Sequence, residues 1–142
     1  TDRRIAKRMG EGFLIDTSAV IKYLTEVFSD KAVAVMDKAL KSEYKISFVT
    51  QIELLVFKTT VYSDIQIREQ FVEATDIVYV NKGVIDKAIY IRRETNIQLP
   101  DAIIAASAMH YEHTLISTND RDFVKVIPLG LKYLNPEKNI EE

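Results

Sequence analysis

Short apolar runs alternate with longer stretches of helical periodicity along most of the chain. The run FLI at residues 13–15 stops at an acid, Asp16, and Ser18 is a candidate cap for a helix that begins at Ala19. Such a run is typical of a strand buried on both faces of a parallel sheet. Asp16 is therefore expected at the carboxyl end of the first strand, where open α/β sheets place their chemistry, although Asp is also a common turn and cap residue.

The rest of the chain repeats this alternation of strands and helices. Ser29 can cap a second helix, Thr50 is expected to begin another, and Pro100 precedes an Ala-rich helix that must be largely buried. Further strands are predicted at residues 45–48, 77–80, 114–117 and 126–127, and further helices from Ser63 or Asp64 and over 81–93. This order predicts an α/β fold with a central parallel sheet of four to five strands and helices on both faces.

The chain is long enough for one domain and too short for two. It has 142 residues, of which 47% are hydrophobic, so it can bury a sizeable core. Residues 1–10 are a basic lead segment, either solvated or an arm that touches RNA, residues 11–134 form the domain, and residues 135–142 are a polar tail expected to fray.

Charge and composition narrow the possible chemistry. The net charge of −2 argues against coating nucleic acid by bulk charge, so any such contact must be local. Without Cys, the available side-chain metal ligands are carboxylates, His110 and His113, which favours hard cations. No apolar run is long enough to span a bilayer and no secretory signal is present, so the protein is expected in the cytoplasm.

Acidic residues recur where predicted strands end or helices begin. Asp16 follows the first strand, Glu53 lies early in the helix after the second, Asp101 follows Pro100, and Asp120 and Asp122 follow the fourth strand. Parallel strands bring their carboxyl ends to one edge of the sheet, so these acids can converge there. Converging carboxylates repel one another, and a bound divalent cation such as Mg²⁺ or Mn²⁺ offsets that cost.

Each acid also has a local structural explanation. Glu53 can form a capping box with Thr50 in TQIE, and Asp101 can be a first-turn acid favoured by the helix dipole. Asn119 or Asp120 can cap a short helix. The two histidines are expected to cap carbonyl groups or face solvent rather than bind metal.

Four segments together resemble the PIN domain, the nuclease fold of the VapC toxins of type II toxin–antitoxin systems. They are FLIDTSAVI, TQIE, LPDAIIAASA and STNDRDF, and the likeness covers residues 12 to about 131. The resemblance implies a three-layer α/β/α fold, an endoribonuclease dependent on Mg²⁺ or Mn²⁺, a homodimer and inhibition by a small antitoxin protein. The residues that match the metal-binding acids are Asp16, Glu53, Asp101 and Asp120, with Thr17 or Ser18 as a supporting hydroxyl and Asp122 as an alternative fourth acid.

The resemblance implies hydrolysis of an RNA phosphodiester by a metal-activated water. Asp16 and Asp101 would be primary ligands, while Glu53 and Asp120 would hold a second metal or orient the water. The cations that could guide the RNA backbone, or simply be solvated, are Lys22, Arg92, Arg93 and Arg121. The alternatives are an RNA-processing PIN nuclease outside a toxin–antitoxin system and a catalytically idle PIN module that binds protein.

Overall fold

A five-stranded parallel sheet forms the centre of the molecule. The computed structural model describes residues 12–138. The strands are β1 (Phe13–Ile15), β2 (Tyr44–Ser47), β3 (Asp76–Val78), β4 (Thr114–Ile116) and β5 (Lys132–Leu134). Their order across the sheet is β3-β2-β1-β4-β5, which puts β1 in the middle, paired with β2 and β4. The predicted α/β fold with a parallel sheet is confirmed.

Helices cover both faces of this sheet. Within residues 12–138 they are α1 (Thr17–Leu24), α2 (Asp30–Leu40), α3 (Phe48–Leu55), α4 (Tyr62–Glu73), α5 (Lys82–Glu94), α6 (Leu99–His110), α7 (Asp120–Phe123) and a 3₁₀ helix (Val124–Leu129). Because successive strand residues point to opposite faces, Leu14 joins a core with α5 and α6, whereas Phe13 and Ile15 join a core with α1 and α2. The three-layer α/β/α arrangement is therefore confirmed.

Helix starts agree with the sequence prediction at Ser29 and differ at two other places. The Ser29 side chain caps α2 by accepting from the Ala32 amide. Asp16, not Ser18, is the N-cap of α1, and Ser47, not Thr50, caps α3. Thr50 lies one turn inside α3, so the predicted capping box with Glu53 does not form and the Glu53 carboxylate is left for another contact.

The fifth strand was placed wrongly by the sequence pattern. Residues 126–127 lie in the 3₁₀ helix, which also contains Pro128, and β5 comes later at Lys132–Leu134. Pro128 has no N–H group to donate to a strand ladder. Gly130, whose φ is +113°, then ends the 3₁₀ helix just before the chain enters β5.

The polar segment after β5 begins as part of the packed domain. Asn135 is 2% exposed and hydrogen-bonds to Asp120, so the contacts of the domain extend beyond the boundary expected at residue 134. The predicted basic lead, residues 1–10, and the last four residues of the predicted tail lie outside the described part. No helix in residues 12–138 has the length and apolarity needed to cross a membrane.

Candidate active site

Asp16 lies at the carboxyl end of the central strand and begins α1. Its side chain is 4% exposed, and its Oδ2 accepts hydrogen bonds from the hydroxyls of Ser18, at 2.8 Å, and Ser117, at 2.7 Å. Burial raises the pKa of Asp16 even though these hydrogen bonds oppose the shift. Asp16 is thus both a helix cap and a buried acid whose negative charge is poorly solvated.

Ser117 is a site residue that the sequence analysis missed. It follows β4 directly, as Asp16 follows β1, and the preceding residues Ile116 and Ile15 are paired in the sheet. Ser117 is fully buried, and its Oγ also accepts from the amide of Asn119 at 2.9 Å. The signal available in the sequence was its place as the first polar residue after a buried strand.

Glu53 reaches across from α3 to the start of α1. Its Oε1 lies 2.5 Å from the hydroxyl of Thr17, which also lies 3.0 Å from the buried hydroxyl of Thr50. This contact holds the exposed Glu53 carboxylate on the β2 side of Asp16, away from β4. The supporting hydroxyls proposed at Thr17 and Ser18 therefore serve different acids, Glu53 and Asp16.

Asp101 and Asp122 contact each other next to Asp16. Asp101 lies in the first turn of α6, and its pKa is raised to about 7 by burial, by the charges of Asp16, Asp122 and Glu53, and by a hydrogen bond with Asp122. A carboxyl group donates to another carboxylate only while it is protonated, and the raised pKa of Asp101 favours its protonated form. Asp16, Glu53, Asp101 and Asp122 are called the acid cluster below.

Asp120 has different surroundings. Its Oδ1 accepts from the Tyr133 hydroxyl at 2.6 Å and the Asn135 side-chain amide at 2.9 Å, and its Oδ2 lies 3.2 Å from Lys138 Nζ. These contacts lower the pKa of Asp120 although partial burial opposes the shift. The charge of Asp120 is therefore already compensated, and the geometry favours Asp122 as the fourth acid of the cluster.

The predicted RNA-guiding cations are scattered. Arg92 donates to the carbonyl of Ile97 at 2.7 Å, and Arg92 and Arg93 both line an apolar groove between α5 and α6. Arg121 is exposed between Asp120 and Asp122, and Lys22 is exposed in the last turn of α1. They do not form one basic patch with a shared contact.

The two histidines precede β4, at the end of that strand opposite to the acid cluster. His113 is buried before β4, with its Nδ1 2.9 Å from the carbonyl of Tyr111 and its Nε2 3.3 Å from a carboxylate oxygen of Glu43. His110 is exposed at the end of α6. His113 therefore contacts a carbonyl group and His110 faces solvent, the two environments that the sequence analysis expected for them.

The acid cluster has the donor chemistry for a divalent cation but not a finished ligand set. Within residues 12–138, no three acidic or histidine side chains stand in an arrangement ready to hold a metal ion. All four donors are carboxylates, the ligand type that Mg²⁺ and Mn²⁺ take in proteins. A cation among them would displace the proton that Asp101 holds and offset the negative charges that, together with burial, raise the pKa of Asp101. The donor chemistry of these residues therefore fits such an ion.

Comparisons with known proteins place this arrangement in a family. The family model of the PIN domain matches residues 13–127. No curated protein sequence matches the chain significantly. PIN domains are typically nucleases and typically use divalent metals.

Solved structures with a similar fold include chains of bacterial toxin–antitoxin complexes. A chain of DNA-bound VapBC from Salmonella typhimurium has a TM-score of 0.75 and 17% identity over 88% of this chain and 98% of that chain. A toxin–antitoxin complex from Klebsiella pneumoniae gives 0.67 and 23% over 88% and 98%. VapBC-5 from Mycobacterium tuberculosis, a member of the VapBC family of toxin–antitoxin systems, gives 0.62 and 18% over 87% and 96%. With a family model matched over residues 13–127 and this fold, the chain belongs to the PIN domain family.

Proposed function

We propose that the protein is a metal-dependent endoribonuclease that hydrolyses RNA phosphodiester bonds. The observation that supports this most strongly is the convergence of Asp16, Asp101, Asp122 and Glu53 at one edge of the sheet, where burial and the neighbouring negative charges raise the pKa of Asp101. A fold that keeps like charges together without a compensating cation bears a cost in stability, which is expected of a site kept for function.

The chain's own residues divide the work at this site. Asp16, which is buried, and Asp101, which is adjacent to it and half-buried, would be the primary ligands of Mg²⁺ or Mn²⁺. Glu53, aligned by the Thr17 hydroxyl, and Asp122 would hold a second ion or orient the attacking water. Ser18 and Ser117 hold one oxygen of Asp16, which leaves its other oxygen for an ion. The ion, when bound, would activate water and stabilise negative charge on the leaving oxygen.

A role as the toxin of a VapBC-type pair is the more specific part of this proposal. The similar solved structures named above are toxin–antitoxin complexes. The protein also exposes apolar side chains along the groove of about 410 Å³ between α5 and α6, among them Ile85, Ile89 and Leu99. Such surfaces are typical of proteins that associate, so we propose a homodimer and a cognate antitoxin. Light scattering should give the mass of two chains at micromolar concentration, and a monomer mass would contradict the dimer.

The activity is tested on single-stranded RNA with purified protein. Cleavage should require Mg²⁺ or Mn²⁺ and stop in EDTA. Asp16→Asn keeps the volume and an oxygen acceptor for the α1 cap but removes one charge, so it should reduce the rate by about a hundredfold or more while the protein stays folded.

The controls separate the alternatives. If the parent still cleaves RNA in EDTA, the metal mechanism is contradicted. If Asp16→Asn protein cleaves RNA as fast as the parent in EDTA, the activity comes from a contaminating nuclease. A parent protein that never cleaves RNA with either ion would favour the idle PIN module.

A further inference from the structure

The segment after β5 is attached to Asp120, which lies in the same short helix, α7, as Asp122 of the acid cluster. Residues 135–138, called the strap below, begin with the buried Asn135, whose side-chain amide donates to Asp120 at 2.9 Å. The Asn135 side-chain oxygen accepts from the amide of Glu137 at 2.9 Å, and its carbonyl accepts from the amide of Lys138 at 3.0 Å. These bonds fold the strap into a turn on the edge of the sheet that carries Asp120.

A second anchor ties the strap to α2. The Glu137 carboxylate accepts from both the amide of Ser29, at 3.0 Å, and the Ser29 hydroxyl. Ser29 is the N-cap of α2, so an acid is favoured there by the positive end of the helix dipole. The strap is therefore held by Asp120, which contacts Asn135 and Lys138, and by the start of α2, which contacts Glu137.

This fastening fixes the position of one ammonium group. Lys138 Nζ lies 3.2 Å from Asp120 Oδ2, and its side chain is 61% exposed. An ammonium group has three donors, and the contact with Asp120 uses one, so the others remain for a ligand from solvent. Asp120 is linked in turn to the cluster, because the Tyr133 hydroxyl that contacts it also lies 3.3 Å from the carbonyl oxygen of Ser117, whose own hydroxyl donates to Asp16.

Other cations extend this positive surface. Lys31 follows the Ser29 cap by two residues in the first turn of α2, and Lys22 is in the last turn of α1; both are exposed. The hydrogen bonds from Ser29 lower the pKa of Glu137, and the charges of Lys22 and Lys31 add to this shift. Lys138 therefore lies on the strap itself, with Lys22 on α1 and Lys31 on α2 beside it. An RNA strand that approaches the acid cluster is repelled by its carboxylates, and fixed cations beside the cluster offset this repulsion.

We propose that the strap positions the substrate: Lys138 binds a backbone phosphate of the RNA next to the acid cluster, and Lys22 and Lys31 continue the contact along the strand. This inference rests on the proposed function. The ion pair with Asp120 restricts the lysine before RNA arrives, so less side-chain entropy is lost on binding. The contact is to the backbone and carries no sequence preference.

The test compares Lys138→Gln with Lys82→Gln. Lys82 is a matched control because it is also exposed and paired with an acid, Asp86, at 2.9 Å, but lies at the start of α5, where the neighbouring Asn81 bonds to Tyr111 before β4. Binding of a labelled single-stranded RNA of about ten nucleotides is measured by fluorescence anisotropy at several KCl concentrations, with Ca²⁺ in place of Mn²⁺. Steady-state cleavage with Mn²⁺ gives KM and kcat, and thermal melting checks the fold.

Lys138→Gln should raise the Kd and the KM by about fivefold, with kcat within about twofold, and should reduce the slope of log Kd against log [KCl] by about 0.7, the value for one phosphate contact on a single strand. Lys138→Arg should restore binding, and Lys82→Gln should match the parent.

Three results would overturn the inference. They are unchanged RNA binding in Lys138→Gln, equal losses in Lys82→Gln, and tighter Mn²⁺ binding in Lys138→Gln with no effect on RNA, which would make Lys138 a counter-ion of the acids. A parent that binds RNA through Lys138 but never cleaves it contradicts the nuclease proposal alone. A parent that cleaves RNA while Lys138→Gln binds normally contradicts the inference alone.

Discussion

Asp120 and Asp122 lie in the same one-turn helix, α7, yet they have opposite electrostatic surroundings. Burial and the charge of Asp16 raise the pKa of Asp101 to about 7, and the contact and charge of Asp122 add to this shift. Asp120 faces Tyr133, Asn135 and Lys138, which lower its pKa. Residues two apart on a helix do not face each other, so one turn can present one acid to the cluster and the other to the strap.

The comparison shows which acids still require a cation. Asp120 has donors for both of its oxygens within the protein. The acid cluster has hydroxyl donors for Asp16 and Glu53 and the side-chain amide of Asn119, at 3.1 Å, for Asp122, whereas Asp101 faces the charges of Asp16, Asp122 and Glu53. Both Asp120 and Asp122 follow β4 closely in the chain, so their positions in the sequence do not distinguish them. The groups that surround each side chain make Asp122 the candidate metal ligand and Asp120 a structural contact.

The largest expected contrast is in catalysis. Asp122→Asn should reduce RNA cleavage by about tenfold to a hundredfold, because it removes a carboxylate that holds an ion or the water. Asp120→Asn should stay within about threefold of the parent, since an Asn oxygen can still accept from Tyr133 and Asn135. Single-turnover cleavage with saturating Mn²⁺ measures both. A larger loss in Asp120→Asn than in Asp122→Asn would reverse the assignment.

A smaller effect is expected in the pH dependence of the metal-free stability. The pKa of Asp101 is raised from 3.8 to about 7 in the folded state. Its stabilising contribution is therefore fully present below about pH 4 and is lost as the pH rises through 7. Between pH 5 and pH 8 in EDTA, the free energy of unfolding should fall by about 1–2 kcal/mol from this group, less than the full linkage because Asp101 is partly exposed.

Variants locate the source of that pH dependence. Asp101→Asn should flatten the fall, as should Mn²⁺ added to the parent. Asp120→Asn should keep it, because the lowered pKa of Asp120 puts its titration below this range. Urea melts at several pH values measure the slope, and an unchanged slope in Asp101→Asn would show that another group is responsible.

The sequence predicted features that depend on local pattern. The apolar run of β1 ending at Asp16 and the Ser29 cap of α2 both follow from neighbouring residues, and both are present. The pattern failed where local signals compete. TQIE has the form of a capping box, but Ser47 begins the helix three residues earlier and its side chain accepts from the amide of Val49.

The parts of the site that the sequence missed depend on contacts between distant segments. Glu53 meets Thr17 across 36 positions of the chain, and Ser117 meets Asp16 across 101. Tyr133 and Asn135 could not be assigned to Asp120 because the pattern placed the fifth strand at residues 126–127, before them. Ser117 was accessible in principle, since it follows β4 as Asp16 follows the paired strand β1.

Titration of the metal-free protein with Mn²⁺ by calorimetry tests the central claim most directly. The parent should bind Mn²⁺ and release protons near pH 7, because the proton on Asp101, whose pKa is raised to about 7, must leave. Asp122→Asn should bind at least about tenfold more weakly, whereas Asp120→Asn should bind within about twofold of the parent. No binding by the parent, or loss of binding in Asp120→Asn with full binding in Asp122→Asn, would contradict the assignment of the acid cluster as the metal site.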